Sequence, residues 1–281
     1  MIFKSPAPIA ALAGICLLSL WRPARADEIA TKGRAIFNQY QHTVVTVEIV
    51  LKSKVSVGGT PGQASESHQD VTGTVIDPAG LTALSLSATD PAQMMRNIMG
   101  GEDESKFKIE TELSDVKILL ADGTEVPAEV VLRDKDLDLA FIRPKARLNA
   151  PLPALDLTKS GKAEVLDEVI ALNRLGDVAA RAYAASVERI AAIVERPRMF
   201  YIPANSMTTT TLGAPAFLPD GRVLGLFVIR SQKGHGGGAM NMFNAQRENL
   251  AGIIVPAEDV LKAAKQAPAI AGEKPPAAEK K

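Results

Sequence analysis

The chain holds a single cysteine, Cys16, and it lies inside an N-terminal apolar stretch. Gly14 and Ile15 ahead of it do not supply the small residue that a lipidated cysteine needs just before it. Downstream of that stretch there is no thiol, which excludes a disulfide framework, a cysteine nucleophile and a thiolate metal site, and leaves stability to the core. Histidine is almost as scarce: His42, His68 and His235 are scattered, and no His/Glu pair has helical i, i+4 spacing. No metal constellation is expected on that pattern, and no cofactor. A long apolar run is missing too, since Ile9 to Leu20 is only about a dozen residues, short for a bilayer. Nor is there a basic excess: 32 Lys and Arg face 32 Asp and Glu, and removal of Lys4, Arg22 and Arg25 leaves 29 against 32, a net charge of −3. A nucleic-acid surface therefore has no support.

What is present reads as an exported globular protein. Lys4 gives a positive start, Ile9 to Leu20 an apolar middle, and Ala24-Arg25-Ala26 a small-x-small cleavage site before Asp27. Residues 1 to 26 are expected to be a signal peptide cut after Ala26, which places the mature chain in the periplasm or outside the cell with no integral membrane span. The rest, 46% hydrophobic and 23% charged over the full 281 residues, is enough for one large β domain or two small ones. An N-terminal helix is expected within residues 27 to 42, where Ile29, Ile36 and Phe37 have helical spacing, and the tail 269 to 281, all Pro, Ala, Gly and charge apart from Ile270, is expected to be disordered.

Between them, residues 43 to 268 read as short strands and turns. "HTVVTVEIV" has strand composition, residues 56 to 67 read as a polar Gly-rich loop, and "DVTGTVI", "DPAG" and "LTALSL" read as strand, tight turn and strand. Ala88 to Met99 reads as a short helix whose Met94, Met95, Ile98 and Met99 fill a core, and "GGEDESK" as a solvated loop. Asp122-Gly123 is expected to make a two-residue hairpin turn with positive φ at both central positions. "DLAFI", "EVIAL", "AASVERIAAIV", "GRVLGLFVI" and "AGIIV" supply further strands, and a helix from Ala257 to about Gln266 closes the domain. The class is all-β, an antiparallel barrel or sandwich with helices only at its ends.

The order of these pieces over about residues 40 to 265 resembles the trypsin-like double β-barrel proteases of the HtrA/Deg type. "VTGTVIDPAGLTALSLSAT" sits in the frame that leads to the family's catalytic histidine, with Gly73, Asp77 and Gly80 matching. "DKDLDLAFIRP" resembles the phrase around the family's aspartate, with Asp134 opening it and Asp138 at the catalytic position. "ILLADGTEVPAEVV", "LPALDLTKSGKAEVLDEVIALNRLGD" and "GIIVPAEDVLKAAKQ" resemble further segments in order. The resemblance implies a trypsin-like double antiparallel β-barrel with short N- and C-terminal helices and a peptide-shaped cleft.

It also exposes two departures. The family's G-N-S-G-G-P becomes Thr210-Thr211-Leu212-Gly213-Ala214-Pro215, so Leu212 stands at the serine position, and Ser87 stands at the histidine position. The mechanism needs a hydroxyl to attack and an imidazole to take and return a proton near neutral pH; Leu212 cannot attack, and the Ser87 hydroxyl is no base. The oxyanion-hole frame, Thr210 with Gly213, has a β-branched residue where the family places a permissive glycine. For Asp138 two readings stand: an inherited triad position now bonded by Ser87, Thr82 or water, or a strand-start Asp that caps a turn. His42 and His68 reach the cleft only if loops fold back; Ser206 and Thr208 to Thr211 offer hydroxyls without a visible base; and "GHGGG" (234 to 238) lacks the hydrolase context that would make it an oxyanion loop. The expected function is binding of a peptide or protein partner by an inactive protease homologue, with an active hydrolase of non-standard residues, or a regulatory subunit of an active protease, as rivals. The oligomeric state is left open.

Overall fold

The computed structural model describes residues 26–57, 60–90, 107–204, 211–231 and 250–268. Helix α1 (Ala26–Tyr40) comes first and lays Ile29, Ile36, Phe37 and Tyr40 against the body of the protein. The Tyr40 ring stacks on Phe217 with centroids 4.9 Å apart.

A short 3-10 turn (Gln41–Thr43) then leads into two closed antiparallel barrels. The first contains β1 (Val44–Val57), β2 (Thr60–Val75), β3 (Thr82–Ser85), β4 (Phe107–Leu119), β5 (Glu125–Asp134) and β6 (Leu139–Pro144), joined in the order β1-β2-β3-β6-β5-β4. The one-turn helix α2 (Leu86–Thr89) follows β3. The second barrel contains β7 (Glu168–Arg174), β8 (Tyr183–Val194), β9 (Phe200–Pro203), β10 (Pro215–Phe217), β11 (Val223–Ser231) and β12 (Leu250–Pro256), in the order β10-β11-β12-β9-β8-β7, before the closing helix α3 (Ala257–Ala264).

Period-two alternation sorts the side chains into three apolar clusters. On β6, Ala140 and Ile142 enter the interior of the first barrel while Leu139 and Phe141 face out. What they face is the second barrel. Leu139, Phe141, Ala83 and Val44 share one cluster with Ile170, Leu226, Val228, Ile253 and Val255, and Val260 and Ala263 of α3 close it. This seam between barrels is a core in its own right, each fully buried Phe or Leu contributing roughly 1.5–3 kcal/mol, and it fixes the walls of the cleft described below.

Two local expectations are corrected. The described residues between 56 and 67 are strand rather than loop: β1 and β2 stay paired out to Val57 opposite Thr60, and β4 pairs along the other side of β1 as far as Phe107. The polar letters there mark a solvated ribbon, with Lys52 opposite both Glu66 and Glu112, and Lys54 opposite Glu110, an arrangement that favours strand pairing. The Asp122-Gly123 turn is not the two-residue type, because only Gly123 has positive φ (83°). Leu120 N–H donates to the Thr124 carbonyl (2.9 Å) and Gly123 N–H to that of Leu120 (3.2 Å), a three-residue turn that needs a left-handed glycine at its last position alone. Strand β9 was not expected at all. The helix expected over 88 to 99 ends at Thr89 in its described part; Met94, Met95, Ile98, Met99 and the 100 to 106 loop lie outside the described residues, as do the signal and tail segments apart from Ala26.

Candidate functional site

Asp138 stands where β5 turns into β6. Its turn is built by Asp134, whose Oδ1 accepts the amides of Asp136 (3.0 Å) and Leu137 (3.1 Å). Asp138 itself takes a left-handed conformation (φ 54°), which aspartate tolerates better than most residues. Its carbonyl accepts the amide of Leu86 (2.8 Å), holding the start of α2 against it.

The carboxylate accepts four hydrogen bonds. Oδ1 takes the Ser87 amide (2.8 Å) and the Ser87 hydroxyl (2.6 Å); Oδ2 takes the Ser85 hydroxyl (2.6 Å) and the Ile229 amide (3.1 Å). Ile229 belongs to β11, so one of these bonds crosses from the first barrel to the second. Burial pushes the Asp138 carboxyl above its ordinary value, and the bonds from Ser85, Ser87 and Ile229 pull against that without cancelling it. Of the expected partners Ser87 is present, but Thr82 is not: its hydroxyl donates to the Gly80 carbonyl (3.1 Å). Ser85 and the Ile229 amide went unpredicted. Ser85 carries a signal in sequence, a second small hydroxyl two residues from Ser87 at the end of a buried strand; the backbone amide carries none.

Leu212 lies at the other corner, in the turn before β10, and is 5% exposed. Gly213 after it has φ 87°, and a Cβ there would run into the Thr72 carbonyl of β2, so a glycine is required both by conformation and by the contact between barrels. The Gly213 amide donates to the Phe227 carbonyl (2.7 Å), and its own carbonyl accepts the Thr74 hydroxyl (2.7 Å). That amide is therefore engaged within the fold. Thr210, Ser206, Thr208, Thr209 and the 234 to 238 glycine run with His235 lie outside the described residues; Thr211 is described and sits at the start of the turn.

Beside the Asp138 corner, and reaching outward, is a cleft of about 450 Å³. One wall is Leu86, Ser87, Asp90, Lys135, Leu137 and Asp138; the other includes Arg198, Met199, Phe200, Ile229, Arg230 and Ile253. An ion pair, Arg198 with Asp136 (3.6 Å), spans the two walls. Neither described histidine lines this cleft. His42 packs edge-on against Tyr183 (5.2 Å between centroids), and His68 sits on the ribbon with Glu48 at 3.7 Å and Glu66 at 3.6 Å. Among the described residues no group of His, Cys, Asp and Glu could hold a metal ion, and no helix is long and apolar enough to cross a membrane.

Two closed six-stranded barrels meeting on a seam, with an aspartate corner and a strand-leading glycine turn on it, define the double-barrel peptidase architecture. The sequence profile described as "Trypsin-like peptidase domain" matches residues 71–226, more than half of the chain, and the chain belongs to that family. Among solved structures it is similar to one titled "Crystal structure of Deg5", at 14% identity and a TM-score of 0.52 over 83% of this chain and 92% of that one. At that identity the likeness is one of fold. No curated protein matches the sequence.

Proposed function

We propose that the mature chain is an exported, catalytically inactive trypsin-like domain that binds an extended peptide or protein segment in the cleft between its barrels. One observation carries this: where a general base would stand, the Ser87 hydroxyl is a donor to Asp138 (2.6 Å), and that carboxylate already accepts three further bonds. A hydroxyl committed as a donor to a carboxylate cannot return a proton near neutral pH, and Leu212 supplies no nucleophile. Binding has its own support. β11 pairs with β10 only from Val223 to Leu226, and beyond the Phe227 bonds to Gly213 and Ala214 no described strand covers that edge. Past Phe227 the Ile229 amide on that edge is held by Asp138, and the strand beyond it runs beside the cleft, an arrangement that suits the addition of one more strand.

The test is turnover of unfolded casein by the purified mature chain beside Leu212→Ser, Leu212→Ala and the double variant Leu212→Ser with Ser87→His. The expected result is no turnover in the native chain, with trace activity in the double variant alone. Clear turnover by the native chain that persists in Leu212→Ala overturns the proposal and moves the search to other hydroxyls and to His42, His68 or His235.

A further inference from the structure

The cleft's charges are unevenly matched. Of its carboxylates, Asp138 has its four donors, Asp136 is paired with Arg198, and Asp90 is also engaged. Two of its cations are different. Lys135 on the first wall and Arg230 on the second line the cavity, and neither side chain forms an ion pair or hydrogen bond among the described residues. Arg230 is half-buried, and its guanidinium carbon lies 5.1 Å from the centroid of the Phe200 ring, also a cleft residue.

A ring face at this distance steadies a guanidinium while leaving N–H donors available to a further partner. A half-buried cation whose side-chain donors meet no partner among the described residues is matched by one chemistry above others, a carboxylate that can take two of them side by side. Lys135 adds a second positive charge from across the gap. Around this pair the floor is apolar, with Leu137, Met199 and Ile253.

We propose that the cleft selects an extended segment bearing a Glu or Asp side chain between apolar neighbours, and that Arg230 is the residue that reads the acid. This rests on the binding reading above and names the class of segment bound. Contact with the Phe200 ring places part of the cost of ordering Arg230 in the free protein, so the acid gains more from it than from an exposed lysine such as Lys135.

An array of overlapping dodecapeptides spanning dephosphorylated casein, each acidic peptide printed beside a twin with Gln for Glu or Asn for Asp, tests this on the mature chain without any mutation. Native protein is expected to bind the acidic member of the best pairs about five- to tenfold better than its twin, a difference of one well-ordered charge contact. Arg230→Gln should bind both twins alike at the weaker level, and Arg230→Lys should keep part of the preference; the thermal melts of both variants check that they fold. Equal binding of twins by the native chain, or an acid preference that survives in Arg230→Gln, overturns the selectivity while leaving the cleft a peptide site. An array with no bound peptide overturns both.

Discussion

The two corners of the seam, Asp138 on the cleft and Leu212 in the turn before β10, differ in every physical respect. Asp138 is a charged group that closes four hydrogen bonds and joins two barrels through the Ile229 amide. Leu212 is an apolar side chain, 5% exposed, in a turn whose polar bonds are made by its neighbour Gly213. One residue is required by the hydrogen bonds that converge on it, the other only fills space. Two backbone amides and two hydroxyls converge on Asp138, so losing it leaves donors without an acceptor whether or not chemistry occurs. The residue at position 212 has no such structural duty, and a buried apolar group there stabilises the turn by ordinary packing.

Truncation sharpens this contrast and gives the largest expected effect. Asp138→Ala removes the acceptor of the Ser87 and Ile229 amides and puts alanine at φ 54°, a conformation it adopts poorly. A loss of about 3 kcal/mol is expected from the orphaned donors and the strain together. Leu212→Ala should cost a comparable amount, within the roughly 2–5 kcal/mol of a buried leucine, through lost packing alone. Urea denaturation of the two variants measures both, and a negligible cost for Asp138→Ala would break the comparison.

The two serines divide the polar corner further. Each donates a 2.6 Å charge-assisted bond, worth about 1.5–3 kcal/mol. Ser85 is fully buried, whereas Ser87 lines the cleft, where water can replace a lost hydroxyl. Ser85→Ala is therefore expected to be the more destabilising of the pair in the same titration. Equal costs would mean that water reaches both sites.

How far these corners could be read from letters depends on what each is made of. The contact of Ser87 with Asp138 was legible because each occupies a fixed offset in a phrase of several residues: Asp134 to Asp138 spells out its own turn. The double barrel was legible from strand alternation, as in "LAFI", whose odd and even members enter different clusters. The ribbon of β1, β2 and β4 was not. Polar, Gly-containing strands lack an apolar period, and their pairing is set by partners far off in sequence, Lys52 with Glu112 for one. Nor could any spacing reveal that a backbone amide on β11 meets Asp138, or that Arg230 stacks on Phe200, since both contacts join segments brought together only by the closed second barrel.

The smallest effect expected is one of pH, and it separates the corners by sign. The Asp138 carboxyl is held above its ordinary 3.8 by burial, so the folded chain takes up this proton before the unfolded chain does. Between the raised value and 3.8 its contribution to stability therefore grows as pH falls, then levels off once the unfolded chain is protonated too. Measured as the difference in unfolding free energy between native protein and Asp138→Asn, stability should shift toward the native chain through that window, the reverse of a salt-bridged aspartate. Ser85→Ala should start the rise at higher pH, because the Ser85 bond is the largest of those opposing the shift. Leu212→Ala carries nothing that titrates, and its cost should stay level across the same range. A difference that instead falls with pH would mean that the four hydrogen bonds outweigh burial, and Asp138 would then be a corner stabilised by its charge.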